Sequence, residues 1–255
     1  MSPGLHVVRA GNGPRILLIH GSAADHTTWA IALASALRDQ FTLIAHDRRA
    51  DASTIEAHAD DAAALLAAAP DPAVVVGSSL GAVVALDLIR RGTAPIAGAI
   101  LIEPPLSPPG PERAVRAHFV ADFDRRVAEA GGPAAGEMFL RMVLGDAALE
   151  RMPVAFRTAA TMKFAEIRAD CVALFAYQPR YDELAAVATP VLLLGGERSA
   201  PWYRRTLEGL QAALGNARLE IVPAAGHMLH AEAPRRFHAL VAGFASSVLG
   251  ELAPG

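Results

Sequence analysis

Residues 73–91 read Ala-Val-Val-Val-Gly-Ser-Ser-Leu-Gly-Ala-Val-Val-Ala-Leu-Asp-Leu-Ile-Arg-Arg, which is the pattern of a buried strand, a tight turn and a helix. An apolar run of strand length ends at Val76, a turn with two glycines follows, and a segment of helical composition begins at once. A serine in so sharp a strand-to-helix turn adopts a strained backbone, which needs small residues two positions before it and two positions after it. Only Ser79 has glycine at both places, so Ser79 rather than Ser78 is the predicted nucleophile.

The same alternation of short apolar runs and longer Ala/Leu-rich segments continues on both sides of this turn. It is typical of repeated βα units and predicts an α/β fold, with a mostly parallel central sheet flanked by helices. The predicted strands are apolar runs bounded by Gly, Pro, Asp or Asn, at residues 6–9, 16–20, 41–45, 73–76, 98–102, 191–194 and 219–222. The predicted helices lie between them, at residues 27–37, 54–69, 79–91, 202–214 and 234–248.

The alternation stops after Glu103. A proline-rich segment, residues 104–111, leads into a region up to residue 187 that has helical periodicity throughout and no strand candidate. We therefore expect a helical cap inserted into the core, with residues 105–187 forming the cap and residues 1–104 and 188–255 forming the core. Phe and Met residues recur through the cap, and we expect most of them to pack its interior while a minority line a pocket.

The composition describes one densely packed unit without a strong charge bias. Of 255 residues 53% are hydrophobic and 19% charged, with a formal net charge of −3, so one large core is expected and a basic surface for nucleic acid is not. Residues 1–13 lack the charged and apolar regions of a secretion signal, and the most apolar stretch, residues 73–89, is interrupted by polar residues and glycines. We expect a cytoplasmic protein without a membrane segment. The lone Cys171 is expected to be a small buried apolar residue.

Two further segments carry residues suited to nucleophilic catalysis. Residues 16–22 read Ile-Leu-Leu-Ile-His-Gly-Ser, so an apolar strand ends in His-Gly. Residues 223–234 read Pro-Ala-Ala-Gly-His-Met-Leu-His-Ala-Glu-Ala-Pro and place His227 in a loop between a strand and a helix. A histidine in such a loop can take a proton from an exposed serine and pass it to a leaving group, so His227 is the predicted base. We expect His230 and Glu232 to position this loop. The remaining histidines, including His58 on a surface-like helix, are expected to carry no function.

These three motifs, in this order, resemble those of the α/β-hydrolase superfamily, in its serine hydrolase branch. The resemblance covers the chain outside the cap. It implies a triad of serine, histidine and an acid, together with an oxyanion hole built from the backbone N–H groups of Ser22 and Leu80. His20 is expected to brace the loop after its strand rather than to react. The resemblance implies no metal ion and no organic cofactor.

The chain departs from the family pattern at two places. Residues 47–53 read Asp-Arg-Arg-Ala-Asp-Ala-Ser and resemble the family loop D-x-R-G-x-G-x-S with both glycines replaced by alanine, which puts the usual conformation of that loop in question. The second departure concerns the acid of the triad. Many members carry it as an aspartate at the position that Ser199 occupies here, and a serine cannot supply a carboxylate.

Either another acid holds the histidine, therefore, or catalysis is weaker. Glu103 follows the strand at residues 98–102, at the carboxyl edge of the sheet where ligands and catalytic groups of α/β proteins gather. Some α/β-hydrolases, among them the haloalkane dehalogenases, take their acid from this strand end. Glu103 is the predicted acid. The alternatives are Glu197, which lies near Ser199, and a structural Glu103 that bonds the proline-rich turn.

Two classes of function agree with these residues. The first is hydrolysis of a carboxylic ester, lactone or thioester through an acyl-enzyme, and cleavage of a carbon–carbon bond stays open because it uses the same triad. The second is a non-hydrolytic ligand binder or a catalyst of rearrangement, in which the serine at position 199 reflects a relaxed hydrolytic function. The apolar cap favours a small-molecule acyl substrate of low charge, and the chain could be a monomer or a homodimer.

Overall fold

Seven strands form one sheet in the computed structural model, which describes residues 4–106, 112–177, 179 and 181–250. The strands are β1 (Val7–Ala10), β2 (Arg15–Ile19), β3 (Thr42–His46), β4 (Ala73–Ser78), β5 (Ile96–Ile102), β6 (Val191–Gly196) and β7 (Ala217–Val222). Their order is β1-β3-β2-β4-β5-β6-β7, with β1 antiparallel to β3 and the other pairs parallel. The predicted mostly parallel sheet is confirmed, and every predicted strand lies within two residues of its observed bounds.

The carboxyl ends of β2 to β7 meet at one edge of this sheet because these strands run in the same direction. The register pairs Ser78 of β4 with Ile102 of β5, and Ile102 with Leu194 of β6. The segments that follow these three strands therefore start side by side. The strand order also reverses at β2, and in open α/β sheets such a reversal leaves a crevice outside the carboxyl ends.

Helices cover both faces of the sheet. The α-helices are α1 (Ala30–Leu33), α2 (Ile55–Leu66), α3 (Leu80–Arg91), α4 (Glu112–Ala130), α5 (Gly132–Leu144), α6 (Asp146–Arg151), α7 (Val154–Met162), α8 (Phe164–Ala176), α9 (Pro201–Ala213), α10 (Leu229–Glu232) and α11 (Pro234–Gly250). One face is buried under α2, α3 and α9, and the other under α1 and α11, where Trp29 and Phe237 are fully buried. Within the described residues, no helix has both the length and the apolar character that crossing a bilayer requires.

The prediction of a single helix over residues 27–37 is wrong. This segment forms a 3-10 turn (His26–Trp29), the single turn α1, and a second 3-10 turn (Ala36–Asp39). Ser35 explains the break: its hydroxyl donates to Ala32 O at 2.7 Å and accepts the backbone N–H of Leu37 at 3.2 Å. A side chain that bonds the nearby backbone in this way competes with the helical hydrogen bonds, so the α-helix ends.

Helices α4 to α8 lie between β5 and β6 along the chain and form an apolar cluster of their own. Phe123, Phe139 and Ile167 lie at its centre. Cys171 is buried in the same cluster, and this burial raises the pKa of its thiol to about 12, so the thiol stays protonated at neutral pH. Phe156 is an exception to this packing, since it is mostly exposed. Of the predicted cap, residues 105–187, positions 107–111, 178 and 180 lie outside the described residues, and its limits stay a prediction.

The turn from β4 to α3 brings three backbone segments into direct contact. A Cβ atom placed on Gly77 would lie 2.2 Å from the carbonyl oxygen of Gly81, and one placed on Gly81 would lie 2.2 Å from the carbonyl oxygen of Ile19 in β2. Both distances are far shorter than a carbon–oxygen contact allows. The two glycines therefore provide the space that lets α3 pack directly against β2 and β4.

We expect the substitution Gly81→Ala to destabilise the fold, because the added methyl group must push α3 away from β2. Overpacking of this kind costs about 1–3 kcal/mol or more in the free energy of unfolding, which urea denaturation measures. Gly243→Ala is the matched control, since a Cβ atom there meets nothing within 4 Å. Because Gly243 lies inside α11, its replacement should stabilise the protein by about 0.5–1 kcal/mol. Equal stabilities of the two variants would contradict the crowding.

Several buried histidines are neutral in the folded protein, among them His46, His58 and His230. Burial, reinforced by the positive charge of Arg48, lowers the pKa of His46 and of His58 to about 4. Burial, with His227 nearby, lowers the pKa of His230 to about 3. The sequence predicted His58 to lie on a surface-like helix, but the structure buries it, because this side of α2 faces Arg48.

These histidines should make the protein sensitive to acid. As the pH falls below about 6.5, the unfolded chain takes up protons that the folded chain does not bind until about pH 4 or 3, so the free energy of unfolding decreases. Each histidine contributes a slope of up to about 1.4 kcal/mol per pH unit. Urea denaturation between about pH 6.5 and pH 5 measures the slope while ordinary carboxyl groups remain ionised. We expect His58→Gln to reduce it, and identical slopes in both proteins would rule out the contribution of His58.

Candidate active site

Ser79 lies in the turn between β4 and α3. Its backbone angles, φ 54° and ψ −121°, fall in a region that residues other than glycine rarely adopt. Its N–H donates to Ile102 O at 2.8 Å, which ties the turn to the end of β5. The loop after β2 also packs against this serine, since a Cβ atom on Gly21 would lie 2.9 Å from Ser79 Cβ and 3.6 Å from Oγ. The side chain is half-buried.

Glu103 and His227 form a buried pair at the same edge of the sheet. Glu103 follows β5 and is 1% exposed, and His227 lies in the loop after β7 and is 5% exposed. Glu103 Oε2 lies 2.6 Å from His227 Nδ1. A carboxylate at this distance from Nδ1 selects the tautomer that carries its proton there and leaves Nε2 free to accept another. The structure thus brings together the predicted acid and the predicted base.

The carboxylate of Glu103 is fixed by the neighbouring strand as well. Its other oxygen, Oε1, accepts the backbone N–H of Gly196 at 2.7 Å, and its own N–H donates to Leu194 O at 3.1 Å. Its φ of 44° turns the chain sharply at the strand end. Both carboxylate oxygens therefore have a hydrogen-bond partner, and two strand ends together determine where the carboxylate points.

Glu197 and Ser199 occupy different positions. Glu197 Oε2 accepts the backbone N–H of Ala224 at 2.8 Å, so this exposed carboxylate holds the turn after β7 and makes no hydrogen bond to His227. The hydroxyl of Ser199 is buried and makes no hydrogen bond within the described part of the chain. Neither residue contacts the candidate base through a hydrogen bond, whereas Glu103 does.

The backbone N–H groups of Ser22 and Leu80 have no acceptor among the described residues. Leu80 is the first residue of α3, where an N–H group has no partner within the helix. Ser22 lies in the loop after β2, next to Ala23, whose φ is 59°. His20, predicted to brace this loop, contacts Gly21 O through Nδ1 at 2.8 Å. Both amides are thus available to a ligand close to Ser79.

Tyr203 in α9 is a site residue that the sequence analysis missed. Its ring stacks on the imidazole of His227, with ring centres 4.5 Å apart and planes inclined by 19°. Its hydroxyl oxygen lies 3.4 Å from His227 Nε2, while Ser79 Oγ makes no hydrogen bond to His227 in this conformation. Catalytic hydrogen bonds of this kind often form only when substrate is bound. The sequence signal that could have identified it is its position, an aromatic residue in the first turn of the helix that follows β6.

The altered loop at residues 47–53 tolerates its alanines. Neither Ala50 nor Ala52 has a positive φ, so both adopt backbone angles that suit alanine.

Asp47 of this loop belongs to a group with metal-ligand spacing among the described residues, in which one ligand atom each from His6, His26 and Asp47 lies within 4.8 Å of the others. Asp47 Oδ1 already accepts the backbone N–H of His26 at 2.8 Å. Neither Ser79 nor His227 belongs to this group.

Known proteins resemble this chain in sequence and fold. An uncharacterized hydrolase, YraK of Bacillus subtilis (strain 168), is 38% identical over 98 residues, which cover 34% of this chain and 36% of that protein. The match therefore spans about a third of the relative. A thermophilic esterase from Thermogutta terrifontis is 24% identical with a TM-score of 0.79, covering 96% of this chain and 93% of that one. The enol-lactonase from Burkholderia xenovorans LB400 is 23% identical with a TM-score of 0.78, covering 94% and 95%.

At these identities the two solved structures establish the shared fold. The family is established by a sequence model, that of the alpha/beta hydrolase family, which matches residues 16–240. The match includes β2 to β7, the turn at Ser79, and the loop that carries His227. Because it spans most of the chain, this protein belongs to the alpha/beta hydrolase family.

Proposed function

We propose that this protein is a serine hydrolase that cleaves a carboxylic ester, lactone or thioester through an acyl-enzyme. Ser79 is the nucleophile, His227 the general base and Glu103 the acid that orients it. Family membership supports hydrolysis as the reaction class. One observation carries the proposal further: a fully buried carboxylate lies 2.6 Å from Nδ1 of a histidine at the sheet edge where the strained serine lies.

Each step has a group suited to it. Ser79 Oγ attacks the carbonyl carbon while His227 Nε2 takes its proton, and Glu103 stabilises the imidazolium without accepting that proton. The N–H groups of Ser22 and Leu80 bind the oxyanion of the tetrahedral intermediate. His227 then protonates the leaving alkoxide or thiolate, which departs as an alcohol or a thiol. A water molecule, deprotonated by the same histidine, releases the acid and restores the serine.

The proposed substrate is a small acyl compound of low charge. Burying a charged group costs several kcal/mol unless a partner is provided. The buried carboxylate beside His227, that of Glu103, is already hydrogen-bonded to His227 and Gly196, so it offers no partner to a charged substrate. Short aryl and medium-chain acyl esters are therefore the first substrates to screen, followed by lactones and thioesters.

The contact of Tyr203 with His227 supports one alternative function, non-hydrolytic binding or rearrangement. If the tyrosine hydroxyl held Nε2 permanently, Ser79 would lack a base, and the site would serve non-hydrolytic binding or rearrangement. A fluorophosphonate probe separates the two functions, because it labels only an activated serine. We expect the probe to label Ser79 rapidly, and mass spectrometry of the labelled protein locates the site. A folded protein that resists labelling would support the alternative.

We expect Ser79→Ala to lower kcat for ester hydrolysis by about 10³-fold or more, because it removes the nucleophile. The free energy of unfolding should change little, since the lost hydroxyl makes no hydrogen bond to His227. Ser78→Ala is the control at the adjacent buried position and should stay within a few fold of wild type. Similar losses of kcat in both variants would show that the wrong serine has been assigned.

Glu103→Gln should reduce kcat by about 10³- to 10⁴-fold with little change in KM, because an amide neither stabilises the imidazolium nor selects its tautomer. Glu197→Gln is the matched control, since it changes the same group at an exposed position that bonds only backbone. Thermal melting of each variant accounts for losses due to unfolding. Near wild-type kcat in folded Glu103→Gln would exclude Glu103 as the acid.

A further inference from the structure

The peptide unit between Gly21 and Ser22 is held by its carbonyl oxygen. Gly21 O accepts one hydrogen bond from His20 Nδ1 at 2.8 Å and another from Arg48 Nη2 at 3.2 Å. His20 donates through Nδ1, because its Nε2 accepts the backbone N–H of Arg48 at 3.1 Å. Burial, with the Arg48 guanidinium nearby, lowers the pKa of His20 well below its usual value, so the ring is neutral and has a single donor.

Holding this oxygen fixes the direction of the N–H group on the other side of the peptide. The peptide bond is a rigid plane, and in its trans form the C=O and N–H groups point in opposite directions. Two donors on Gly21 O therefore determine where the Ser22 N–H points. They also polarise the peptide unit, which makes its N–H a stronger donor. The Ser22 N–H is one of the two proposed oxyanion donors.

Asp170 holds Arg48 in turn. It lies in α8, one of the helices between β5 and β6. The guanidinium donates from Nη1 to Asp170 Oδ1 at 2.9 Å and from Nη2 to Oδ2 at 2.8 Å. Nη1 also lies 3.1 Å from His58 Nε2, which accepts from it because His58 is neutral. Both charged side chains are only 7% exposed.

A buried ion pair adds little net stability, because removing two charges from water costs about as much as their attraction returns. Its distinctive contribution is geometry, since the planar guanidinium can bind Asp170 with two parallel hydrogen bonds and still reach Gly21 O. The nearby pair of Arg168 and Asp124 differs in this respect. It joins α8 to α4 at the surface, with side chains 48% and 45% exposed.

We propose that Arg48 and Asp170 are positioning residues for the oxyanion hole. Asp170 orients Arg48, Arg48 and His20 hold the Gly21 carbonyl, and the Ser22 N–H is thereby aimed at the developing oxyanion. The orientation of a catalytic amide in the core thus depends on the position of α8. The inference rests on the proposed function, in which Ser22 donates to the tetrahedral intermediate.

The test removes the pair without leaving one charge buried alone. In the double variant Arg48→Met/Asp170→Leu, apolar groups of similar size replace both partners, so folding should survive. Complete loss of one oxyanion donor costs about 10²- to 10³-fold in kcat, so misaiming one should cost about 10- to 100-fold. KM should change little. Affinity for a phenylboronic acid, which forms a tetrahedral adduct with the serine, should fall by the same factor.

Asp124→Asn is the matched control, because it breaks an ion pair on the same helix α8 that has no link to Gly21. Its kcat and its boronic acid affinity should equal those of wild type. A folded double variant with wild-type kcat and wild-type boronic acid affinity would overturn the inference. So would equal losses in the double variant and in Asp124→Asn, because they would indicate a general effect of loosening α8.

A measurement without catalysis keeps this inference separate from the proposed function. The amide resonance of Ser22 in the nuclear magnetic resonance spectrum reports on the hydrogen bonds to its own peptide unit. It should shift in the double variant and stay in place in Asp124→Asn. If the two variants behave in this way but the wild-type protein hydrolyses no ester, only the proposed function fails and the positioning role stands. An unmoved Ser22 resonance in the double variant would refute the role of Arg48 whatever the activity.

Discussion

A backbone angle of +54° at a residue with a side chain costs about 1–3 kcal/mol, and the surrounding packing holds Ser79 in it. The residue is fixed from three directions: β4 ends immediately before it, α3 begins immediately after it, and its N–H bonds the end of β5. None of this packing is compatible with Cβ atoms at Gly77 and Gly81, where they would lie 2.2 Å from backbone oxygens. The strands on either side of β4 bring further candidate groups to this turn: β2 leads into the loop at Gly21, which packs against Ser79, and β5 leads into Glu103. Glu103 in turn holds His227.

The charged groups near the turn are buried in pairs rather than singly. Glu103 is matched by His227, and Arg48 by Asp170. Each pair also makes a hydrogen bond to the backbone, to the N–H of Gly196 and to the carbonyl of Gly21 respectively. Burial without such partners would neutralise or expel the charge, and the lowered pKa values of His46, His58 and His230 show the first outcome. The same low-polarity surroundings strengthen each remaining electrostatic contact, which is the condition that an oxyanion hole requires.

Those features that depend on local pattern were predictable, and those that depend on distant segments meeting were not. The spacing of Gly77, Ser79 and Gly81 predicts a strained turn, and strand patterns predicted all seven strands and the sheet edge at which Glu103 lies. In contrast, the partners of Arg48 follow from the docking of α8 more than a hundred residues later in the chain, which no periodicity encodes. The burial of His58 and the stacking of Tyr203 on His227 likewise depend on separate segments that meet only in the folded chain. Ser35 was a local signal that the 3.6-residue pattern outweighed, and the helix predicted there is broken.

The position of Glu103 on β5 also has a consequence for how the chain is connected. The candidate nucleophile and the candidate acid both lie within the single β4–α3–β5 unit, residues 73–103, so pairing β4 with β5 across the α3 connection brings their strand ends together. The turn after β6, which carries Glu197 and Ser199, then supplies no reacting group of its own. It acts through hydrogen bonds, because Glu197 holds the turn after β7 that leads to His227. A change in the length of that turn would therefore reach the chemistry through the position of the base, while the strand ends that carry the nucleophile and the acid stayed in register within the β4–α3–β5 unit.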